Sequence, residues 1–599
     1  MPAPVCGVAV ERGIVVPAAD GVPLLTDHYR PLTAEAAPTL LVRCPYGRGF
    51  PWDYVYGALL AGQGFHVVLQ SCRGTGGSGG EFEPFRDEAA DGQATVAWLR
   101  RQDWFNGALG TIGASYLGYT QWALATEPPP ELGALVVQVG SDDFQQFLYP
   151  GGAFALEATL TGTAGMLSMQ HGFGRFLLAM TRLLRQHRKV ERSLPLIDAY
   201  PAAFGRRVGF FEDWLAHPGP GDAYWTSRRA AVPADRVPPA SLLTGWWDVC
   251  LDPTLSMYRR LRAAGRPVRL VVGPWNHASG FNQDMPVLLC EAVGWLRAHL
   301  GADQSGEQSG NRSGLPAQPV RVHVGEIGGR GDWRDLADWP PPDTQPQPWY
   351  LHPDATLSAE LPAQLAPAGS AESAGSAGSA GQVGHADPAD GVAVLAFRYD
   401  PAEPTPSVGG PSMDARQAGP RRNGKLEARD DVLTFTSAPL GEPLEVIGPV
   451  SISLRVRGSS PHFDVFARLC DVDPRGRSWN ICDGLTRLTR LGPASTPSAG
   501  QIPAGRQIPA GRQTPAAGRA WLDATVPMSA TAHRFGAGHR LRVQISGGAH
   551  PRFLRNTGTG EPPGSASRLV PVDIEIACQT DPPGVLSLPT LPAQPLPSA

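Results

Sequence analysis

The segment Gly110–Trp122, GTIGASYLGYTQW, constrains the fold of this chain more than any other. Ahead of it, Gly107–Ile112 alternates small and apolar residues as a short buried strand does. Behind it, Tyr116–Thr126 contains no proline and can run as a helix. Ser115 stands at the junction. A strand that turns sharply into a helix needs small side chains at the bend, which Gly113 and Ala114 supply, and a serine in that bend has its hydroxyl exposed above the sheet. Such a hydroxyl becomes a nucleophile once a base takes its proton. The usual spacing is G-x-S-x-G; here Leu117 takes the last position and the glycine follows at Gly118. On this segment alone Ser115 also fits a simpler part, that of a helix N-cap.

A serine nucleophile needs a base and an orienting acid, which α/β-hydrolases carry in the chain order Ser, Asp or Glu, His. Two later segments fit that order. Ala240–Trp247 (ASLLTGWW) is an apolar strand ending at Asp248, and Val268–Val272 (VRLVV) is another, leading through Gly273-Pro274-Trp275-Asn276 to His277. Both side chains lie just past the carboxyl end of a strand, where open α/β sheets place functional groups. Among the other histidines, His187 in a basic helix and His299 near a helix end suit solvated or internally satisfied roles. Asp252 is the rival acid, and its place before Pro253 equally suits a helix cap.

These residues carry a family resemblance. RCPYGR (Arg43–Arg48), SCRGTGGSGGEF (Ser71–Phe82), DEAADG (Asp87–Gly92), GASYLGYTQW, GWWD (Gly245–Asp248) and GPWNH (Gly273–His277) together resemble the cocaine-esterase and X-Pro dipeptidyl-peptidase family of serine hydrolases. YDPAEPTPSVGG (Tyr399–Gly410), ARLCDVDPRGRSWNICDG (Ala467–Gly484) and GHRLRVQIS (Gly538–Ser546) are similar to its C-terminal domain. The resemblance implies a catalytic triad of Ser115, Asp248 and His277. It also implies an oxyanion hole made by the Tyr46 hydroxyl and the backbone amide of Tyr116. Without it, Tyr46 would read as a packed aromatic at a strand end. Family members divide between esters and X-Pro peptides. A peptidase of that kind must anchor a free amine, for which Asp142, Asp143 and Glu157 are the candidate carboxylates, although their spacing equally suits caps and solvated positions.

Other features lead to plainer accounts. Gly74–Gly80 (GTGGSGG) lacks the Gly-Lys-Ser/Thr ending of a phosphate cradle and reads as a tight loop after a strand. Arg182, Arg185, Arg188, Lys189 and Arg192 beside Phe176, Leu177, Met180, Leu183 and Leu184 suit an amphipathic helix with a solvated basic face. No zinc-type histidine pair or clustered cysteine spacing occurs, so the chemistry calls for no metal or cofactor. A net charge of −4 gives no footprint for nucleic acid. The eight cysteines are dispersed, as buried thiols are, with Cys470 and Cys482 placed to face each other across a hairpin. The N-terminus has no signal-peptide pattern and no apolar run reaches membrane-spanning length, which together point to a cytoplasmic protein with no membrane partner.

The chain's 599 residues exceed what one core holds, about 250–300 residues. Strands and helices alternate over 1–141 and resume over 239–345, the signature of a mostly parallel sheet wrapped by helices. Between them, 142–238 turns helical and aromatic, as a lid insertion would. From 346 to 580 short strands with frequent glycine and proline indicate a sandwich or jelly roll, and the family carries a jelly roll here. Four low-complexity stretches read as flexible surface insertions: Gly301–Gln318, Pro367–Gly391, Ala494–Arg519, and a tail that follows the last domain at 581–599. The fold class is α/β: an α/β-hydrolase domain with a helical lid and a C-terminal all-β jelly roll. The function expected is that of a serine acyl hydrolase acting on a small-molecule ester or short peptide, with the oligomeric state left open. The jelly roll leaves a second class, a non-catalytic carbohydrate- or surface-binding protein.

Overall fold

A computed structural model describes residues 3–33, 36–278, 285–301, 315–362, 392–489, 520–578 and 582–591, with the backbone of 385–386. Two of the low-complexity stretches, Pro367–Gly391 (apart from 385–386) and Ala494–Arg519, lie outside the described residues, as do 302–314 and 592–599.

The first half is built on one sheet. Its strands are β1 (Gly7–Pro17), β2 (Pro23–Leu32), β3 (Thr39–Cys44), β4 (His66–Ser71), β5 (Leu109–Ala114), β6 (Leu132–Gln138), β7 (Ala240–Trp247), β8 (Val268–Asn276), β9 (Val320–Glu326) and β10 (Asp332–Leu336). They pair in the order β1-β2-β4-β3-β5-β6-β7-β8-β9-β10. From β4 through β9 every pair is parallel, and antiparallel strands finish both edges. Alternate residues feed two cores. Leu40, Val42, Val67 and Leu69 face one side, and Leu41 and Val68 the other. Strands covered on both faces need apolar residues throughout, which is why these read as continuous apolar runs.

Helices α1 (Glu88–Leu99) and α2 (Tyr116–Leu124) follow β4 and β5. The lid contributes α3 (Leu156–Ser168) and α4 (Phe173–Arg192) among shorter helices between β6 and β7. Helices α5 (Leu251–Ala263) and α6 (Met285–Leu300) follow β7 and β8. Close packing of α6 on the sheet explains Gly110: a Cβ there would lie 2.6 Å from Leu300 Cδ1.

The second half is an all-β sandwich that fits the jelly roll. One layer contains Val432–Ser437, Arg540–Ser546, His462–Val472 and Ser478–Thr489; the other contains Ala393–Tyr399, Val572–Ala577, Ser451–Gly458 and Leu522–Pro527. Between them lie Phe397, Phe435, Leu454, Leu469, Val543 and Ile574. Strand Thr531–Phe535 pairs with β9, which ties the two halves together by backbone hydrogen bonds.

Several expectations need correction. The tail expected at 581–599 is structured over Val585–Thr590, a strand that pairs with Gln345–Leu351 and Ser451–Gly458 and buries Leu586 and Leu588. Its alternation is short and sits among prolines, so composition hid it. In α4 the exposed face is not purely basic: Leu177 and Leu184 are each 49% exposed, because α4 packs on its neighbours through Leu183 and Val190. All eight cysteines are free. Cys290 is exposed, Cys6 is half-buried, and a bulge between Leu469 and Cys470 sets Cys482 opposite Leu469 rather than Cys470. No helix among the described residues is long and apolar enough to cross a membrane.

Candidate active site

The order reversal of the parallel strands falls at β3, whose partners are β4 on one side and β5 on the other. Carboxyl ends of strands at such a point diverge and leave a crevice. Tyr46 follows β3 and Ser115 follows β5, so both reach it.

Ser115 has φ 58° and ψ −120°, a conformation that costs a non-glycine residue about 1–3 kcal/mol. The surroundings hold it there. Its N–H donates to Gln138 O (2.9 Å), and its carbonyl accepts from Gly118 N (2.8 Å) and Tyr119 N (3.2 Å). A Cβ on Gly113 would lie 2.4 Å from Leu117 Cβ, and one on Gly118 would lie 3.0 Å from Val137 Cγ1 and 3.1 Å from Gly140 Cα. These contacts account for the shifted glycine: α2 meets β6 through Gly118, while Leu117 turns into the core. The Ser115 side chain makes no capping bond to α2.

Instead its Oγ lies 3.0 Å from His277 Nε2, and His277 Nδ1 lies 2.8 Å from Asp248 Oδ1. A carboxylate at Nδ1 holds the proton there and leaves Nε2 as an acceptor facing the serine. Asp248 is fully buried, and two further donors converge on it: Cys250 N on Oδ1 (3.0 Å) and Thr244 Oγ1 on Oδ2 (2.7 Å). The glycines of GWWD and GPWNH make room for Trp275. A Cβ on Gly245 would lie 2.1 Å from its carbonyl oxygen, and one on Gly273 1.9 Å from its ring. Asp252 takes neither part expected of it. It lies in the first turn of α5, whose N-cap is Cys250, and its Oδ2 accepts from Ser529 Oγ (3.3 Å) in the C-terminal half.

Tyr46 stacks on Trp52 with ring centroids 5.4 Å apart, and its hydroxyl is in hydrogen-bond contact with the Ser115 side chain and the Tyr116 amide. Burial pushes the phenol pKa up, which keeps it a donor. The following Arg48 braces this loop. It donates to Asp27 Oδ1 (3.1 Å), Ser71 Oγ (2.6 Å) and Gly76 O (3.1 Å), so the glycine-rich segment serves as a buttress. From the lid, Gln170 accepts from Gly76 N (3.1 Å).

The three acidic residues considered for an amine anchor are each engaged elsewhere. Asp142 pairs with Arg260 (2.6 Å) and Asp143 with Arg229 (2.5 Å). Glu157 accepts from Asp414 N (3.2 Å) and Met413 N (3.4 Å) of the C-terminal half. Asp248, Cys250 and His277 cluster tightly enough to suggest a metal site, but both imidazole nitrogens already have partners and burial holds the Cys250 thiol protonated. Sequence reasoning missed Thr244, although a hydroxyl four residues before the acid on the same strand end was a usable signal. It also missed Glu88, behind the serine, whose contact depends on two elements meeting in space.

Fold and site define a serine hydrolase. Comparison with known proteins agrees: residues 20–279 match the X-Pro dipeptidyl-peptidase (S15 family) model and residues 313–582 match the X-Pro dipeptidyl-peptidase C-terminal non-catalytic domain. The chain is 30% identical to the cocaine esterase of Rhodococcus sp. (strain MB1 Bresler), over 92% of its own length and 93% of that protein. It belongs to the cocaine-esterase and X-Pro dipeptidyl-peptidase family of serine hydrolases, whose activities are ester and X-Pro peptide cleavage. In fold it is similar to an α-amino acid ester hydrolase, with TM-score 0.75, 21% identity and 98% of each chain covered. It is equally similar to an aminopeptidase from a marine sediment Thaumarchaeota archaeon, with TM-score 0.75, 19% identity and 99% and 98% covered.

Proposed function

We propose that this protein is a serine esterase that cleaves carboxylic esters through an acyl-enzyme on Ser115. The observation that carries this is the unbroken line of contacts from Tyr46 through Ser115 and His277 to Asp248. Ser115 Oγ attacks the ester carbonyl as its proton passes to His277 Nε2. The imidazolium so formed is stabilised by Asp248, which also fixes the tautomer. Charge on the former carbonyl oxygen is met by the Tyr46 hydroxyl and the Tyr116 amide. Collapse breaks the bond to the alkoxy group, which leaves with the proton from His277. A water molecule then gives its proton to His277, attacks the acyl carbon and frees the acid and Ser115.

An X-Pro dipeptidyl-peptidase needs an unpaired carboxylate to receive the substrate's ammonium group. Asp142, Asp143 and Glu157 are all engaged, which favours esters with neutral acyl groups. The test combines fluorophosphonate labelling with kcat/KM for p-nitrophenyl acetate, Ala-Pro-p-nitroanilide and its N-acetyl form. Labelling at Ser115 with faster ester turnover is the expected result. Efficient cleavage of Ala-Pro-p-nitroanilide that acetylation abolishes would move the assignment to a peptidase.

A further inference from the structure

A second buried carboxylate lies behind the serine. Glu88 opens α1 from the DEAADG segment and is 5% exposed. Its Oε1 accepts from the Tyr116 hydroxyl, and among the described residues its Oε2 has no hydrogen-bond partner. The Tyr116 oxygen in turn accepts from Phe85 N (2.9 Å), while Tyr119 Oη lies 3.1 Å from Phe85 O and 2.6 Å from the nearer acceptor, Arg228 O. Phe85 is held at φ 69° and stacks on the Tyr116 ring with centroids 5.0 Å apart. Tyr116, the first residue of α2, thus holds one strained residue, and Glu88 anchors Tyr116 in turn.

We propose that Glu88 is a positioning residue for the hydrolytic reaction: through the Tyr116 hydroxyl its carboxylate fixes the peptide that carries the oxyanion-hole amide, and protonation of Glu88 loosens that hold. This rests on the reading of Ser115 as nucleophile. Counting donors gives the reason. With Glu88 ionised, the Tyr116 O–H and the Phe85 N–H each have an acceptor. A proton on Oε2 adds a donor with no acceptor among the described residues, and a proton on Oε1 displaces the Tyr116 O–H from its one acceptor among them. Either form leaves a buried hydroxyl unsatisfied. The groups facing Glu88 are Arg43 of β3, whose Nη1 donates to the Glu88 main-chain oxygen, Asp91 of α1, Cys72 after β4, and Tyr116 and Tyr119 of α2. Burial outweighs Tyr116 and Arg43 and pushes the carboxyl pKa up to about 7, so the change falls within the working range of an esterase.

The experiment is a pH profile of kcat/KM with p-nitrophenyl acetate for the wild type, Glu88→Gln and Tyr116→Phe. In the wild type the acidic limb should steepen beyond a slope of one on a logarithmic plot over about one pH unit, where protonation of Glu88 adds a step of about tenfold to the proton taken by the base, and return to a slope of one below it. Both variants should show a slope of one. At pH 8 kcat should fall about tenfold with KM little changed, the signature of a misplaced transition-state donor. A wild-type slope of one throughout, or a Glu88→Gln profile that keeps the tenfold step, would overturn the proposal. The wild-type profile needs no variant to fold. Fluorophosphonate labelling of Ser115 separates the two readings: full labelling with unchanged profiles sinks only the role of Glu88, whereas labelling that survives Ser115→Ala sinks the nucleophile assignment itself.

Discussion

Two buried carboxylates reach the Ser115 turn through one intermediary each, Asp248 through His277 and Glu88 through Tyr116, and their surroundings differ. Three donors converge on Asp248, from His277, Cys250 and Thr244, and each of its oxygens is used. Glu88 receives one, from Tyr116, and its second oxygen has no partner among the described residues. A buried carboxylate is stable as an anion only where dipoles and donors replace the lost water, so the sparse coordination of Glu88 favours a charge that can be lost. On the proposal above, Glu88 is the carboxylate that titrates.

The largest effect expected comes from removing the group between them. Ser115→Ala and His277→Ala should each abolish ester turnover without unfolding the protein, and the double variant should be scarcely worse than either alone, because triad members act as a unit. A double variant much worse than both singles would show that the two residues act independently.

Asp248→Asn keeps the shape but puts a donor where His277 needs an acceptor, and a loss on the order of 10⁴ in kcat is expected. Set beside the tenfold effect expected for Glu88→Gln, this is the sharpest measure of the contrast. Losses within a factor of ten of each other would erase it.

Tyr46→Phe removes only the hydroxyl and should lower kcat by roughly 10²–10³ with the fold intact. A change below about fivefold would leave the Tyr116 amide as the sole donor and make its positioning by Glu88 matter more.

The smallest effect is on stability. The folded pKa of Glu88, about 7, lies above its unfolded value, so between roughly pH 4.5 and 7 the folded chain holds a proton that the unfolded chain has released. Stability should therefore fall as pH rises through this window, by roughly 3 kcal/mol from this group, and level off above it. Urea melts at pH 5 and pH 8 should show a smaller difference for Glu88→Gln than for the wild type. An identical difference would mean that Glu88 does not titrate there. Activity gains from ionising Glu88 while stability loses, a trade common at functional sites.

The elbow was legible because its requirements are local. Gly113, Ser115 and Gly118 sit within two turns of chain, and the apolar runs ending at Asp248 and His277 declare strands by themselves. Strand alternation and the change to short strands after residue 346 likewise depend only on neighbours in sequence. The amphipathic pattern of α4 marked a helix, but which apolar residues it buries was decided by what packs against it.

The sequence by itself determined the strand-to-helix turn at Ser115, the placing of Asp248 and His277 past the ends of later strands, and the division into α/β and all-β halves, since each follows from periodicity and small residues read in place. The tertiary structure alone decided the partners of Asp142, Asp143 and Glu157, the strand at Val585–Thr590, and the coupling of Glu88 to Tyr116. Hydrogen bonds between distant segments depend on which surfaces meet once the cores close, and for Glu88 and Tyr116, 28 positions apart, no local pattern announces the meeting.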